Sequence, residues 1–229
     1  MKPEGHCYQF CDHIHHLFVD DRLILLDARR NRYLFIDPPV SILLRRVLIQ
    51  PTSKDAASAP VLAALSQHVL QPSVQTGPIR QANHRPAGIG LHEWQLPFAS
   101  PPVARFLRAW ILSDFVAIAM QIRLMGLERV FKRIRQLARQ PAGSADAETS
   151  RRIASLVRDS SKWLPFRTAC LENAVATAVW LSRRTLPFQF RIGFQLDPFL
   201  AHAWINVDDQ VLLDRPDLNQ AMHILVDLP

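Results

Sequence analysis

Apolar positions in the first forty residues come in short runs. His16-Leu17-Phe18-Val19-Asp20-Asp21, Arg22-Leu23-Ile24-Leu25-Leu26-Asp27 and Arg32-Tyr33-Leu34-Phe35-Ile36-Asp37 are bounded by charged residues, with Ala28-Arg29-Arg30-Asn31 between the last two. This pattern predicts three short strands with tight connections. The period then changes. Apolar residues at 40, 43, 44, 47 and 48 predict a helix over residues 40–50, opened by Pro38-Pro39. Pro51-Thr52-Ser53 breaks it, residues 54–57 predict a short helix, and residues 60–70 predict a third through Val61, Leu62, Leu65 and Val69. Residues 76–101 are rich in Pro, Gly, Gln and Ala and read as a linker between an N-terminal domain over 1–75 and a second domain over 102–229.

Helical periodicity returns after Pro101-Pro102. Phe106, Ala109, Trp110, Phe115, Val116, Ile118, Ala119 and Ile122 form the wide stripe of a core helix. Gly126 bends or breaks it, and Leu127, Val130, Phe131, Ile134 and Leu137 continue a stripe in a basic helix to about residue 139. A loop of small residues spans 140–149, and a short helix over 151–158 turns Ile153, Leu156 and Val157 inward. Leu171, Ala174, Val175, Ala178, Val179 and Leu181 predict a further helix. Alternation predicts strands over 188–194 and 201–207, and Asp208-Asp209-Gln210 predicts a turn into a returning strand over 211–214. Helices and antiparallel strands in this order predict an α+β fold.

Of 229 residues, 48% are hydrophobic, enough to bury a core and to exclude general disorder. The net charge of +7 comes from basic residues scattered along helices, which reads as a solvated surface rich in Arg. No nucleic acid partner is expected: residues 61–68 contain no Arg or Lys, whereas a helix that reads DNA is polar and basic. The apolar run 106–127 is interrupted by Arg108, Asp114 and Arg123, so no membrane span is expected. The start of the chain lacks the layout of a signal peptide. The three cysteines, Cys7, Cys11 and Cys170, fit a reducing compartment rather than a disulfide framework, and together these features predict a cytoplasmic protein. Cys7 and Cys11 stand among several His, but with no second distant pair no metal is expected, and the leading fifteen residues read as a loosely ordered segment. No phosphate-binding loop is present, and no cofactor is expected.

The chemistry concentrates between residues 163 and 214. Cys170 falls in the first turn of its helix, where free N–H groups and the positive end of the helix dipole favour a thiolate. His202, Trp204 and Asn206 share one face of their strand. The hairpin that follows returns Asp214 toward the start of that strand, beside His202. A thiol, an imidazole to take its proton, and a carboxylate to orient the imidazole are the parts of a cysteine nucleophile.

The stretch CLENAVATAVWLSRR, the motif AHAW and the Asp twelve residues after the His resemble the transglutaminase-like cysteine protease domain of lasso peptide B proteins. That likeness covers roughly the last 130 residues. It implies a transglutaminase- or papain-like fold, with Cys170 as nucleophile, His202 as general base and acid, and Asp214 as orienter. Members of that family often end the Cys helix with Gly. Here the chain reads Arg184-Thr185-Leu186-Pro187, and Pro187 is the expected stop. The run LILLDARRNRYLFIDPP resembles the leader-recognition domain of the pyrroloquinoline quinone chaperone type, a small winged helix-turn-helix-like unit of three strands and three helices. It implies that a leader peptide adds a strand beside Tyr33, Leu34, Phe35 and Ile36, against a helix bearing Leu62 and Leu65. The implied function is a leader peptidase acting on a lasso precursor peptide, with a cyclase resembling asparagine synthetase as downstream partner. A transglutaminase-type acyltransferase and a non-catalytic escort of the precursor remain as alternatives.

Overall fold

The structure is a computed structural model describing residues 7–49, 63–65, 68–73, 75, 77–84, 86–89, 103–138, 146–166 and 168–229. The chain divides into two compact units, Met1–His84 and Arg85–Pro229.

In the first unit β2 (Ile14–Val19), β3 (Arg22–Asp27) and β4 (Arg32–Ile36) form an antiparallel sheet in the order β2-β3-β4. The β3–β4 turn is held by Asp27, whose Oδ1 accepts from the N–H groups of Arg29 and Arg30 at 3.0 and 3.1 Å. Asn31 completes it with φ 51, a left-handed conformation that Asn tolerates. Helix α1 (Pro38–Ile49) follows at once. Its Ser41 hydroxyl accepts from the Leu23 N–H and donates to the Ile36 carbonyl, both at 2.9 Å, which ties the helix start to two strands. Leu44 and Leu48 then pack on Ile14, Phe18, Leu23 and Leu25.

Three expectations for this unit are corrected. From Cys7 onward the leading segment is not loose, because β1 (Cys7–Phe10) pairs antiparallel with β5 (Leu70–Ser73). The third helix does not run to residue 70. Residues 63–65 are helical, but Leu70 belongs to β5, and the short apolar run around it fits either period. The expected linker also starts too early, since residues 80–82 run beside β2. The Phe18 N–H donates to the Arg80 carbonyl at 2.9 Å and the Ala82 N–H to the Phe18 carbonyl at 2.8 Å. The second expected helix, over 54–57, lies outside the described residues.

In the second unit α2 (Arg105–Ala138) is broken at Gly126, whose φ of 71 and ψ of 176 are not helical. Its buried stripe is narrower than expected. Ile111, Phe115, Ile118 and Ile122 are buried, while Phe106, Trp110 and Val116 are exposed. By length and composition alone this helix is long and apolar enough to cross a membrane. Helix α3 (Ala147–Ser161) is twice the expected length. It starts where Asp146 accepts from the Thr149 N–H at 3.0 Å. Helix α4 (Cys170–Ser182) ends before Pro187: Thr185 takes the left-handed conformation (φ 55) and the Leu186 N–H returns to the Leu181 carbonyl. A threonine therefore does what glycine commonly does at a helix end.

The sheet of this unit is antiparallel in the order β8-β7-β6-β9, built from β6 (Gln189–Gln195), β7 (Leu200–Val207), β8 (Gln210–Val211) and β9 (His223–Leu228). The Asp208-Asp209 connection has both residues left-handed, φ 47 and 61, the geometry of a two-residue hairpin turn. A short helix α5 (Leu218–Ala221) and β9 had no counterpart in the sequence reading.

Helices α2 and α4 are clamped by Asp114. It accepts from the Trp180 Nε1–H at 3.0 Å and from both terminal nitrogens of Arg183 at 2.6 and 2.9 Å. The guanidinium also lies 5.0 Å from the Trp110 ring centroid and 4.9 Å from that of Trp180. Asp114→Ala leaves an indole donor and a guanidinium without their acceptor. It is expected to cost about 2 kcal/mol in unfolding free energy, measured by urea denaturation.

Candidate active site

Cys170 owes its position to how α4 begins. Ala169 is extended (φ −83, ψ 172) and caps the helix, so Cys170 is its first residue. The Glu172 carboxylate reaches back to accept from the Ala169 N–H at 3.0 Å, half of a capping box. One turn on, the Asn173 amide donates to Thr168 Oγ1 and to the Ala169 carbonyl at 3.2 and 3.1 Å. These bonds hold the entry into the helix while leaving the thiol half-buried.

His202 is set by β7. It pairs across the sheet with Gly193, and its ring stacks on Trp204 at 6.0 Å between centroids and 14° between planes. Glycine at 193 is required. A Cβ there would meet the Trp204 ring at 2.7 Å and the His223 carbonyl oxygen at 3.0 Å. Trp204 is held at its far end, where Nε1–H donates to Asn219 Oδ1 at 3.1 Å.

Asp214 is positioned differently from the expectation of a strand over 211–214. Strand β8 stops at Val211, and Leu213 turns left-handed with φ 59, which costs about 1 kcal/mol or more for a residue with a side chain. This corner aims the carboxylate so that Asp214 Oδ2 lies 3.1 Å from His202 Nε2. The second oxygen, Oδ1, accepts from Arg158 Nη2 at 2.7 Å, and Arg158 Nη1 donates to the Leu213 carbonyl at 2.6 Å. Arg158 was not anticipated. An Arg beside Val157 on a short helix carries no signal of its own in sequence.

The imidazole is buried, which by itself pulls its pKa down, yet hydrogen bonds to Asp214 and to Cys170 outweigh burial and push it up to about 9. Cys170, His202 and Asp214, which the sequence proposed as a set, are thus brought together. They line a cavity of about 710 Å³ with Arg158, Phe166 and Thr177. The other proposed residues lie elsewhere. Tyr33, Leu34, Phe35 and Ile36 form β4 of the first unit, Leu65 packs on that unit's core, and Leu62 lies outside the described residues. Among the described residues no group of three His, Cys, Asp or Glu is placed to hold a metal.

Residues 115–227 match the family model of the transglutaminase-like superfamily. The Microcin J25-processing protein McjB of Escherichia coli is 27% identical to the chain over 63 residues, 28% of this chain and 30% of that protein. The match therefore spans less than a third of that relative's length. No solved structure matches the chain.

A raised histidine pKa has a definite consequence for stability. The interaction that holds the proton stabilises the fold fully below the ordinary value of 6.5 and fades as pH rises through about 9. Asp214→Asn removes a main source of the rise and leaves burial in place. The His202 ring protons, followed by NMR, are expected to titrate near 9 in the wild type and well below that in the variant.

Proposed function

Since residues 115–227 match the family model of the transglutaminase-like superfamily, and both matches support the resemblance to lasso peptide B proteins, we propose that the protein is a leader peptidase for a lasso precursor peptide. The single observation that carries this is the buried His202, its Nε2 3.1 Å from Asp214 Oδ2, lining one cavity with Cys170.

Asp214 engages Nε2, so Nδ1 is the nitrogen that exchanges a proton with the thiol. The thiolate attacks the carbonyl of the peptide bond joining leader to core, and N–H groups at the start of α4 stabilise the oxyanion. The imidazolium protonates the departing core amine, which leaves the leader as a thioester on Cys170. Water, deprotonated by His202, releases the leader acid and restores the thiol. The cavity beside Cys170 receives the peptide around the bond to be cut. The freed amine passes to a cyclase resembling asparagine synthetase. Transglutaminase-type acyl transfer would share the thioester and differ only in its acceptor.

In the same reading the N-terminal unit recruits the leader as an added strand beside β4. Support comes from position: β4 ends the sheet order, exposes Phe35, and runs directly into α1. The other margin, β2, already carries residues 80–82. The three free cysteines accord with a cytoplasmic setting.

Cys170→Ala is expected to lower cleavage of a precursor encoded beside this protein by about a thousandfold or more, read as loss of free leader acid by mass spectrometry. Cutting at the wild-type rate would end the proposal, and a crosslinked product in place of leader acid would establish acyl transfer. Phe35→Glu should raise KM for the precursor about tenfold with kcat little changed. An unaltered KM would separate leader capture from β4.

A further inference from the structure

The site contains a cation that the proposed chemistry does not use. Arg158 lies on α3, and its guanidinium is largely buried, with 19% of the side chain exposed. It makes two bonds to adjacent groups, one to the Asp214 carboxylate and one to the backbone carbonyl of Leu213. Leu213 is the residue whose backbone is left-handed, and it precedes Asp214 directly.

Each feature has a physical reading. A Leu in the left-handed region prefers to relax to an extended or helical conformation, and relaxation would swing the next side chain away from its present direction. Strand pairing is interrupted at this corner and resumes as a single bridge at Asp214. The Leu212 N–H still donates to the Ile205 carbonyl at 2.9 Å, but β8 ends at Val211. Arg158 Nη1 takes the carbonyl at the corner itself. A planar fork with two parallel donors suits this task, because it fixes a direction as well as a distance.

We propose that Arg158 is a positioning residue for this site, its guanidinium fork locking the left-handed Leu213 corner so that Asp214 keeps one oxygen on His202. The inference rests on the Cys170–His202–Asp214 reading above. Arg158 touches no reacting atom and acts through Asp214.

Two roles for this cation predict opposite signs. Among the described residues, the charged and titratable groups that bear on the ring or its carboxylate include Cys170 from α4, Asp214 from the corner and, behind Asp214, Arg158 from α3, with the neutral Trp204 stacked along β7. If Arg158 only balanced charge, its removal would leave Asp214 more negative toward the ring, favouring the imidazolium and the thiolate paired with it. If it positions Asp214, its removal lets the carboxylate turn away. The buried ring then loses its proton more easily, and the thiolate forms only at higher pH.

The experiment follows alkylation of Cys170 by iodoacetamide against pH, resolved from Cys7 and Cys11 by peptide mass spectrometry, with thermal melting as a check on folding. Wild type, Arg158→Met, Arg158→Lys and His202→Ala are compared. Arg158→Met is expected to move the half-maximal rate up by about one pH unit, a tenfold loss of reactivity on the acid side. Arg158→Lys keeps the charge without the fork and should move it in the same direction by less. A profile that stays in place or moves to lower pH in Arg158→Met overturns the inference, as does a wild-type profile in Arg158→Lys. If Arg158→Met fails to fold, the lysine variant decides. His202→Ala separates the two levels: should it leave the profile unchanged, the paired thiol and imidazole themselves are wrong, whatever Arg158 does.

Discussion

A carboxylate buried to 4% exposure, with one oxygen toward an imidazole and the other toward a guanidinium, is the constraint on which the second unit depends. An unpaired buried carboxylate would be costly. Asp214 is tolerable only because α3 delivers a cation to one side and β7 a ring nitrogen to the other. The same arrangement gives His202 its raised pKa against the pull of burial. Charge compensation and chemical readiness are one interaction here.

The packing around that carboxylate is organised to keep the imidazole still. Trp204 lies along one side of the ring, its indole N–H held by Asn219, and Gly193 leaves the space in which the indole sits. On the far side of the thiol, Asn173 and Glu172 fasten the two residues that lead into α4. The thiol therefore stands at a rigid helix start rather than on a loop, as geometry-sensitive chemistry requires. Helix α4 is in turn anchored through Trp180 and Arg183 to Asp114 of α2. The site is thus carried by two helices and a strand, with α2 as their buttress.

The first unit follows another logic. Its three-stranded sheet is buried on β3, where every residue from Leu23 to Asp27 is covered, and opens toward solvent on β4, where Phe35 is exposed. The Ser41 hydroxyl bridges β3 and β4 to the first turn of α1, so sheet and helix hold a fixed relation within the unit. In the proposed reading, this strand at a sheet margin is the one that receives an extended peptide.

The amino-acid sequence by itself determined most of the local structure and the identity of the three chemical groups. Apolar periodicity located β2, β3, β4, α1, α4, β6 and β7, because each has enough buried positions for its period to be read. The break at Gly126 and the place of Cys170 at a helix start were legible for similar local reasons. Contacts between distant segments were not. β1 pairs with a segment sixty or more residues away, and Leu70 is a strand residue only because that partner exists. Thr185 and Leu213 adopt left-handed conformations that no residue-level preference would assign to them: the helix-end bond from the Leu186 N–H to the Leu181 carbonyl closes around the first, and the bond from distant Arg158 holds the second. The spacing of apolar positions predicts a broad apolar face for α2, but only the packing shows which positions α3, α4 and the sheet cover. Sequence names the thiol, imidazole and carboxylate; the meeting of Arg158, Leu213 and Asp214 exists only once α3 lies against the hairpin, because the forces that hold a strained corner come from outside it.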